Sequence, residues 1–317
     1  MKPFRPLRGG VLLLTALFSF ATHADNTLRI GYQKSSTLLT LIKQRGDLDK
    51  TLAAQGVKVS WHEFSSGLPL LEALNLNNVD LSADVADTVP LFAQAAGASL
   101  TYYARETPSP AAQAILVPAD SPIKTLQDLK GKKIAVTKAA GSHYLLIAAL
   151  KKAGLRFSDI SPAWLTPADG RAALENGSVA AWVTWEPYVT SAQVEQHARV
   201  LASGKGLANY QRYYLASSSY ATANPQVLNS VYRALKQEAA WLKAHPAEAA
   251  AQLSPLWGRL PVATIEQANA QRSYQVEPVK KSDLTEQQTI ADAFYEAKLL
   301  PTRIDAQAPA TWQPTTP

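Results

Sequence analysis

"LRIGYQKSSTLLTLIKQRGDLDKTLAAQGVKVSWHEF", residues 28–64, decides the fold class. "LRIGYQK" (28–34) predicts a β-strand ending in a Gly-containing turn. Residues 35–56 read as helical, and "VKVSWHEF" (57–64) alternates as a half-buried strand does. Downstream, "SGLPLLEALNLNNVD" begins a helix, "LSA" (81–83) is a stub of strand, and "TVPLFAQAAG" (88–97) starts another helix. "SLTYYARE" (99–106) is again a strand. Strands alternating with helices predict a parallel sheet wrapped by helices.

The pattern then restarts. "AAQAILVP" (111–118), "KKIAVTK" (132–138), "ISPAWL" (160–165) and "VAAWVTW" (179–185) read as strands, with helical stretches between and after them. The last third, from "NPQVLNSVYRALKQEAAWLKAHPAEAAAQL" (224–253) onward, is helical and ends in a Pro-rich tail. The expected organisation is therefore α/β: lobe I from 25–110 and 210–317, lobe II from 111–209. Crossings near 105–112 and 206–214 would make a hinged clam with an interlobe cleft. Ligands of such sheets bind at the carboxyl ends of strands, so the loops after Tyr32, Phe64, Ala83, Thr137 and Val183 are the ones to watch.

A chain of 317 residues, 47% hydrophobic and 18% charged, can bury the cores of two such lobes. Residues 1–24 read as a secretory signal peptide: Lys2, Arg5 and Arg8, an apolar run from Val11 to Phe20, and "ATHA" before a cleavage after Ala24. That predicts a periplasmic protein. The chain has no cysteine, so it carries neither a disulfide nor a lipid anchor on Cys. Without those residues the charge falls from +6 to 28 basic against 25 acidic side chains, or +3. No basic cluster stands out, which argues against a nucleic-acid partner.

Several short stretches could hold an anion. In "VTKAAGSHYLL" (136–146), Ser142 stands at a plausible helix N-cap and Gly141 permits close backbone approach. First-turn amides there either receive a ligand or are simply capped. In "AAWVTWEPYV" (180–189), Trp182 suits the core and Trp185 a pocket wall, although both could be core. Glu186 with Pro187 marks the next helix start. Gln33 offers a neutral amide after the first strand. In "LSADVADTVPLF" (81–92), Asp84 and Asp87 are small-loop acids that cap, meet solvent, or meet a cation. No metal is expected, because the histidines are isolated and no H-E-x-x-H occurs. Ser142 and His143 are neighbours with no third group to orient them, so nucleophilic catalysis is not indicated.

In order and spacing, "LRIGYQK", "EFSSGLPLLEALN", "VPLFAQAAGA", "ILVPADSPIKTLQDLKGKKIAV", "GSHYLL", "LTPADGRAAL", "WEPY", "YYLASS" and "TWQP" resemble the aliphatic sulfonate-binding proteins of ABC importers, over nearly all of the chain after residue 24. The resemblance implies a type II periplasmic binding fold and no cofactor. It implies a small sulfonate-type anion as ligand, an inner-membrane permease with its ATPase as partner, and a monomer. Gln33 matches the family's Gln. Ser142 and His143 match the end of a "GSSSH"-like loop, with Ala139 and Ala140 where Gly and Ser are usual. Trp185 and Glu186 match a Trp-Asp pair, and Tyr214 a Tyr in "FYLA". The family's "TGD" becomes Val85-Ala86-Asp87, with one residue inserted near Asp84.

The expected ligand donors are the amides near Asp87 and Thr88, those of Gly141 and Ser142, the Ser142 hydroxyl and Gln33, with the tail against Trp185, Tyr144 or Phe64. If Asp84 faced the cleft it would favour an aminosulfonate such as taurine; otherwise it caps a helix or meets solvent. A sulfate ester is the other ligand to weigh, and an enzyme on the same fold the different-class alternative.

Overall fold

The structure, a computed structural model, describes residues 26–315. The predicted signal peptide and its cleavage point lie outside the described residues.

Two sheets organise the chain. The first holds β1 (Thr27–Gln33), β2 (Lys58–Phe64), β3 (Leu81–Ala86) and β4 (Leu100–Glu106). The second holds β5 (Gln113–Val117), β6 (Lys133–Val136), β7 (Ser161–Trp164), β8 (Ala181–Trp185) and β9 (Arg199–Ser203). The chain then returns to the first sheet with β10 (Arg212–Ser217), β11 (Val276–Glu277) and β12 (Ala310–Thr311). The second sheet runs β7-β6-β8-β5-β9. The first runs β11-β4-β10-β3-β1-β2, with β12 also on β4.

The purely parallel sheet expected from the alternation is not what forms. β1 pairs in parallel with β2 and β3, but β10 lies antiparallel between β3 and β4. In the second sheet β5 is antiparallel to both β8 and β9. The cause is the double crossing. A strand that re-enters from the other sheet comes from the carboxyl ends of its neighbours and must run against them. The "LSA" stub is also longer than expected: β3 continues through Asp84 to Ala86, and all six of its residues are buried.

Helix–sheet packing follows from sequence spacing. In the helix Pro225–Ala244, Val227, Val231, Leu235, Ala239 and Leu242 recur at one-turn intervals and are all buried. They pack with Leu28, Ile30 and Tyr214 on one face of the first sheet. Each fully buried Leu there contributes roughly 1.5–3 kcal/mol. Pro225 at the first helical position starts the helix, and His245-Pro246 ends it. The helices Gly67–Asn75 and Thr88–Ala95 cover the opposite face through Leu70, Leu74 and Val89. The helix Gly141–Lys152 covers the second sheet with Leu145, Leu146 and Leu150. Leu91, Ile147, Ile290 and Phe294 form one cluster from elements that belong with both sheets. None of the described helices is long and apolar enough to cross a membrane.

Candidate ligand-binding site

The carboxyl ends of β1, β3 and β8 meet around a small cleft. Gln33, Gly67, Ala86 and Val89 line it from the first sheet's side, Ala140, Gly141 and Trp185 from the second, and Tyr210 and Arg212 from the returning crossing. The free space is about 10 Å³, about one water. The two sides are already in contact. A Cβ built on Gly141 would fall 2.4 Å from Tyr210 Cε2 and 3.0 Å from the Ala86 Cβ. Glycine is therefore needed at 141 for close approach. Trp185 Nε1 donates to Ser35 Oγ at 3.2 Å, a hydrogen bond from β8 to the loop after β1.

The helix at this cleft starts one residue before the expected cap. Its N-cap is Ala140, so Ser142 sits in the first turn instead of capping it. His143 N–H returns to Ala140 O at 2.9 Å, which leaves the Gly141 and Ser142 amides as the first-turn donors with no partner among the described residues. The Ser142 hydroxyl is buried and also without a partner. Gln33 Nε2 donates to Asp84 O at 3.0 Å, which fixes the amide at the cleft wall with one N–H still free.

Asp87 does not present amides to a ligand. Its Oδ1 accepts from Thr88 N at 3.0 Å, and its Oδ2 accepts from Gln211 N at 3.0 Å. Its own N–H goes to Gln211 O at 2.9 Å. The Asp87 amide and carboxylate thus tie β3 to the chain just before β10, and the Thr88 amide is consumed by that carboxylate. Burial, with repulsion from Glu286 added, pushes the Asp87 carboxyl up to about 7.

Asp84 neither caps a helix nor meets solvent; it meets cations, but they are two arginines of the chain itself and not a ligand in the cleft. Its side chain has no exposure, and Oδ2 accepts from Arg212 Nε at 2.5 Å and from Arg272 Nη2 at 3.0 Å. Arg272 also binds Glu106 Oε1 at 2.6 Å. The buried set is two cations against two anions. Tyr214 belongs to this set: its hydroxyl donates to Glu106 Oε1 at 2.8 Å, and it is not a cleft residue.

Other expected site residues are also placed elsewhere. The His143 ring packs against Phe294, Trp164 and Phe157 at centroid distances of 4.8, 5.0 and 5.3 Å. Its Nδ1 accepts from Ala139 N at 3.3 Å, which steadies the left-handed Ala139 (φ 61°) before the helix. Burial, with Lys138 nearby, lowers its pKa to about 3, so it is neutral. Glu186 turns onto its own helix and accepts from Thr190 N and Oγ1 at 3.0 and 2.9 Å. Burial raises its pKa to about 7. Tyr144 lines a separate groove with Glu296. Of the two tryptophans, Trp182 is in the core and Trp185 lines the cleft.

Arg212 is the cleft residue that sequence reasoning missed. It sits two residues before Tyr214 in "YQRYYLASS", at the start of a strand whose pairing was not foreseen. Its Nη1 donates to Tyr210 Oη at 2.9 Å, while Nε is held by Asp84. The signal that could have found it is the pairing of an extra acid at 84 with a basic residue at the opposite crossing.

Residues 52–249 match the family described as NMT1/THI5 like. An Escherichia coli protein named as an aliphatic sulfonates-binding protein is 40% identical over 96% of this chain and 95% of its own length. The crystal structure of the periplasmic aliphatic sulphonate binding protein SsuA from E. coli superposes with a TM-score of 0.81, at 41% identity, covering 91% of this chain and 98% of that one. The alkanesulfonate-binding protein SsuA from Xanthomonas axonopodis pv. citri, bound to MOPS, gives a TM-score of 0.83 at 41% identity, covering 88% and 96% of the two chains. The chain belongs to the NMT1/THI5-like family and, with these relatives, to the family of periplasmic aliphatic sulfonate-binding proteins.

Proposed function

We propose that this protein is the periplasmic capture subunit of an ABC importer and holds the anionic head of an organosulfonate in the cleft at Gly141. The observation that carries this is a convergence of hydrogen-bond donors at one cleft. Gly141 lines it from one side and Arg212 and Gln33 from the other; Ser142, the next residue of the same helical turn, has a buried hydroxyl with no partner among the described residues. A sulfonate is tetrahedral, singly charged and a poor base. Such a group needs donors and no proton transfer.

In this reading Gln33, Gly141, Ser142, Trp185 and Arg212 touch the ligand. Asp84 and Asp87 act through others: Asp84 holds Arg212, and Asp87 holds the start of β10. The lobes are those of the two sheets, with lobe I discontinuous in sequence. The segments 107–112 and 204–211 form the hinge. The free space is too small for a whole ligand, so the lobes must part for entry and close over it. A ligand touching both lobes favours the closed form through its differential affinity. The residues 1–24 direct export and are removed after Ala24, and a permease with an ATPase receives the loaded monomer.

Capture is favoured over turnover because none of the cleft groups forms a nucleophile–base pair. Calorimetry of the protein without residues 1–24 tests both points. A panel of alkanesulfonates, MOPS, taurine, a sulfate ester, sulfate and nitrate is titrated, and the ligand is then recovered. Saturable binding of sulfonates, recovered unchanged, is expected. Absence of binding to every organosulfur anion would overturn the proposal.

A further inference from the structure

Next to the head site lies a second, larger space of about 210 Å³. The same two segments bound both. Gln33 lines the head site and the next residues, Lys34 and Ser35, line the chamber. Trp185 lines the head site, while Pro187 and Tyr188 line the chamber. The Trp185–Ser35 hydrogen bond stands between them and has to open for one ligand to reach both.

The chamber has aromatic walls. Trp257 spends its indole N–H on Lys34 O at 2.6 Å, so the rest of its ring is available as apolar surface. Tyr188 stands perpendicular to Trp185 with centroids 6.0 Å apart, and Leu260 also lines the chamber. Two cations stand at this space. Arg171 is already matched, by Glu195 and by Ser191 Oγ at 2.8 Å. Lys34 is exposed and makes no ion pair among the described residues.

We propose that this chamber receives the organic part of the ligand and selects sulfonates bearing a planar ring, with added preference for a ring carrying a second anionic group opposite the sulfonate. This rests on the head-group site proposed above. The ring lies between Trp257 and Tyr188, where aromatic pairing adds to simple burial. The second anion meets Lys34 at the chamber mouth. Arg171, held by Glu195, contributes shape and little net charge.

The test titrates methanesulfonate, benzenesulfonate and 4-sulfobenzoate into the wild type, Trp257→Ala and Lys34→Gln. Benzenesulfonate is expected to bind roughly tenfold or more tighter than methanesulfonate, since ring burial and pairing together exceed about 1.4 kcal/mol. Trp257→Ala removes that gain and leaves methanesulfonate unchanged. 4-Sulfobenzoate gains a further few-fold over benzenesulfonate, and Lys34→Gln removes that increment while keeping the gain from the ring. Because Trp257→Ala could unfold, Leu260→Trp, which fills the chamber, is the second variant; it should exclude both ring ligands and keep methanesulfonate. If methanesulfonate binds but the ring adds nothing, or the variants weaken all three ligands alike, the chamber proposal is wrong and the head site stands. If no sulfonate binds at all, both fall.

Discussion

Asp84 and Arg212 face each other across the adjacent strands β3 and β10, 2.5 Å apart and both cut off from water. Removing one partner of such a pair strands the other charge, which costs about 3–5 kcal/mol. Asp84→Ala is therefore expected to destabilise the protein by that amount in urea titration. Asp84→Asn should cost less, because an amide oxygen can still accept. Neither change should alter the ranking of amine-bearing against plain sulfonates. A selective loss of taurine-type ligands in Asp84→Asn would mean that the carboxylate reaches the ligand after all.

Arg212 has two tasks that mutation can separate. Arg212→Gln removes a charge-assisted donor from the cleft, worth about 1.5–3 kcal/mol, or roughly 10–100-fold in affinity. It also leaves Asp84 short of a partner. The double variant Asp84→Asn with Arg212→Gln should recover part of the stability while affinity stays low. Recovery of affinity together with stability would show that Arg212 only supports the fold.

Ser142→Ala gives a cleaner readout. The hydroxyl has no protein partner among the described residues, so its removal should leave the thermal midpoint unchanged or slightly raised. Sulfonate affinity should drop by roughly fivefold, the loss of about one neutral hydrogen bond. Unchanged affinity would place the hydroxyl outside the ligand's reach.

Gly141→Ala tests the close approach. A methyl group there meets Tyr210 and Ala86, so the sides of the cleft cannot come together as they do now. Small-angle scattering with saturating ligand should then show the more open form, with affinity severely reduced. Normal closure would mean that Tyr210 swings aside at little cost.

Stability should depend on pH through three buried groups. Asp87 and Glu186 have folded values of about 7, above the usual carboxylate range, so below pH 7 the folded chain holds protons that the unfolded chain has released. Each acid therefore adds stability as pH falls from 7 toward 4, by about 1.4 kcal/mol per pH unit. His143, at about 3, acts in the opposite direction: below pH 6.5 the unfolded chain takes up a proton that the folded one refuses. Urea unfolding at pH 5, 6 and 7 should show a flatter dependence in Asp87→Asn and a steeper one in His143→Phe. Curves parallel to the wild type would contradict these assignments.

How far the residues alone could carry this is clear from particular cases. Helix starts and apolar periodicity placed Gln33 and Trp185 at strand ends and Gly141 at a helix start, because local spacing determines local structure. Asp84 was misplaced, since a lone acid in a run of small residues gives no sign that two arginines, 128 and 188 residues later, will neutralise it inside a sheet. Arg212 was missed for the same reason. His143 follows Ser142 directly, yet helical geometry turns its ring toward Phe294 instead of the cleft. Long-range pairing decided each of these, and neither periodicity nor capping reports it.

The insertion of β10 between β3 and β4 also sets an order of events in the making of the protein. The first hundred or so residues supply four strands but cannot close their sheet, because the strand that joins β3 to β4 ends only at Ser217. Until then the facing edges of β3 and β4 lack the strand that joins them, and Asp84 lacks the arginines that neutralise it. A polypeptide built this way cannot complete its first sheet until about two thirds of its length has been made.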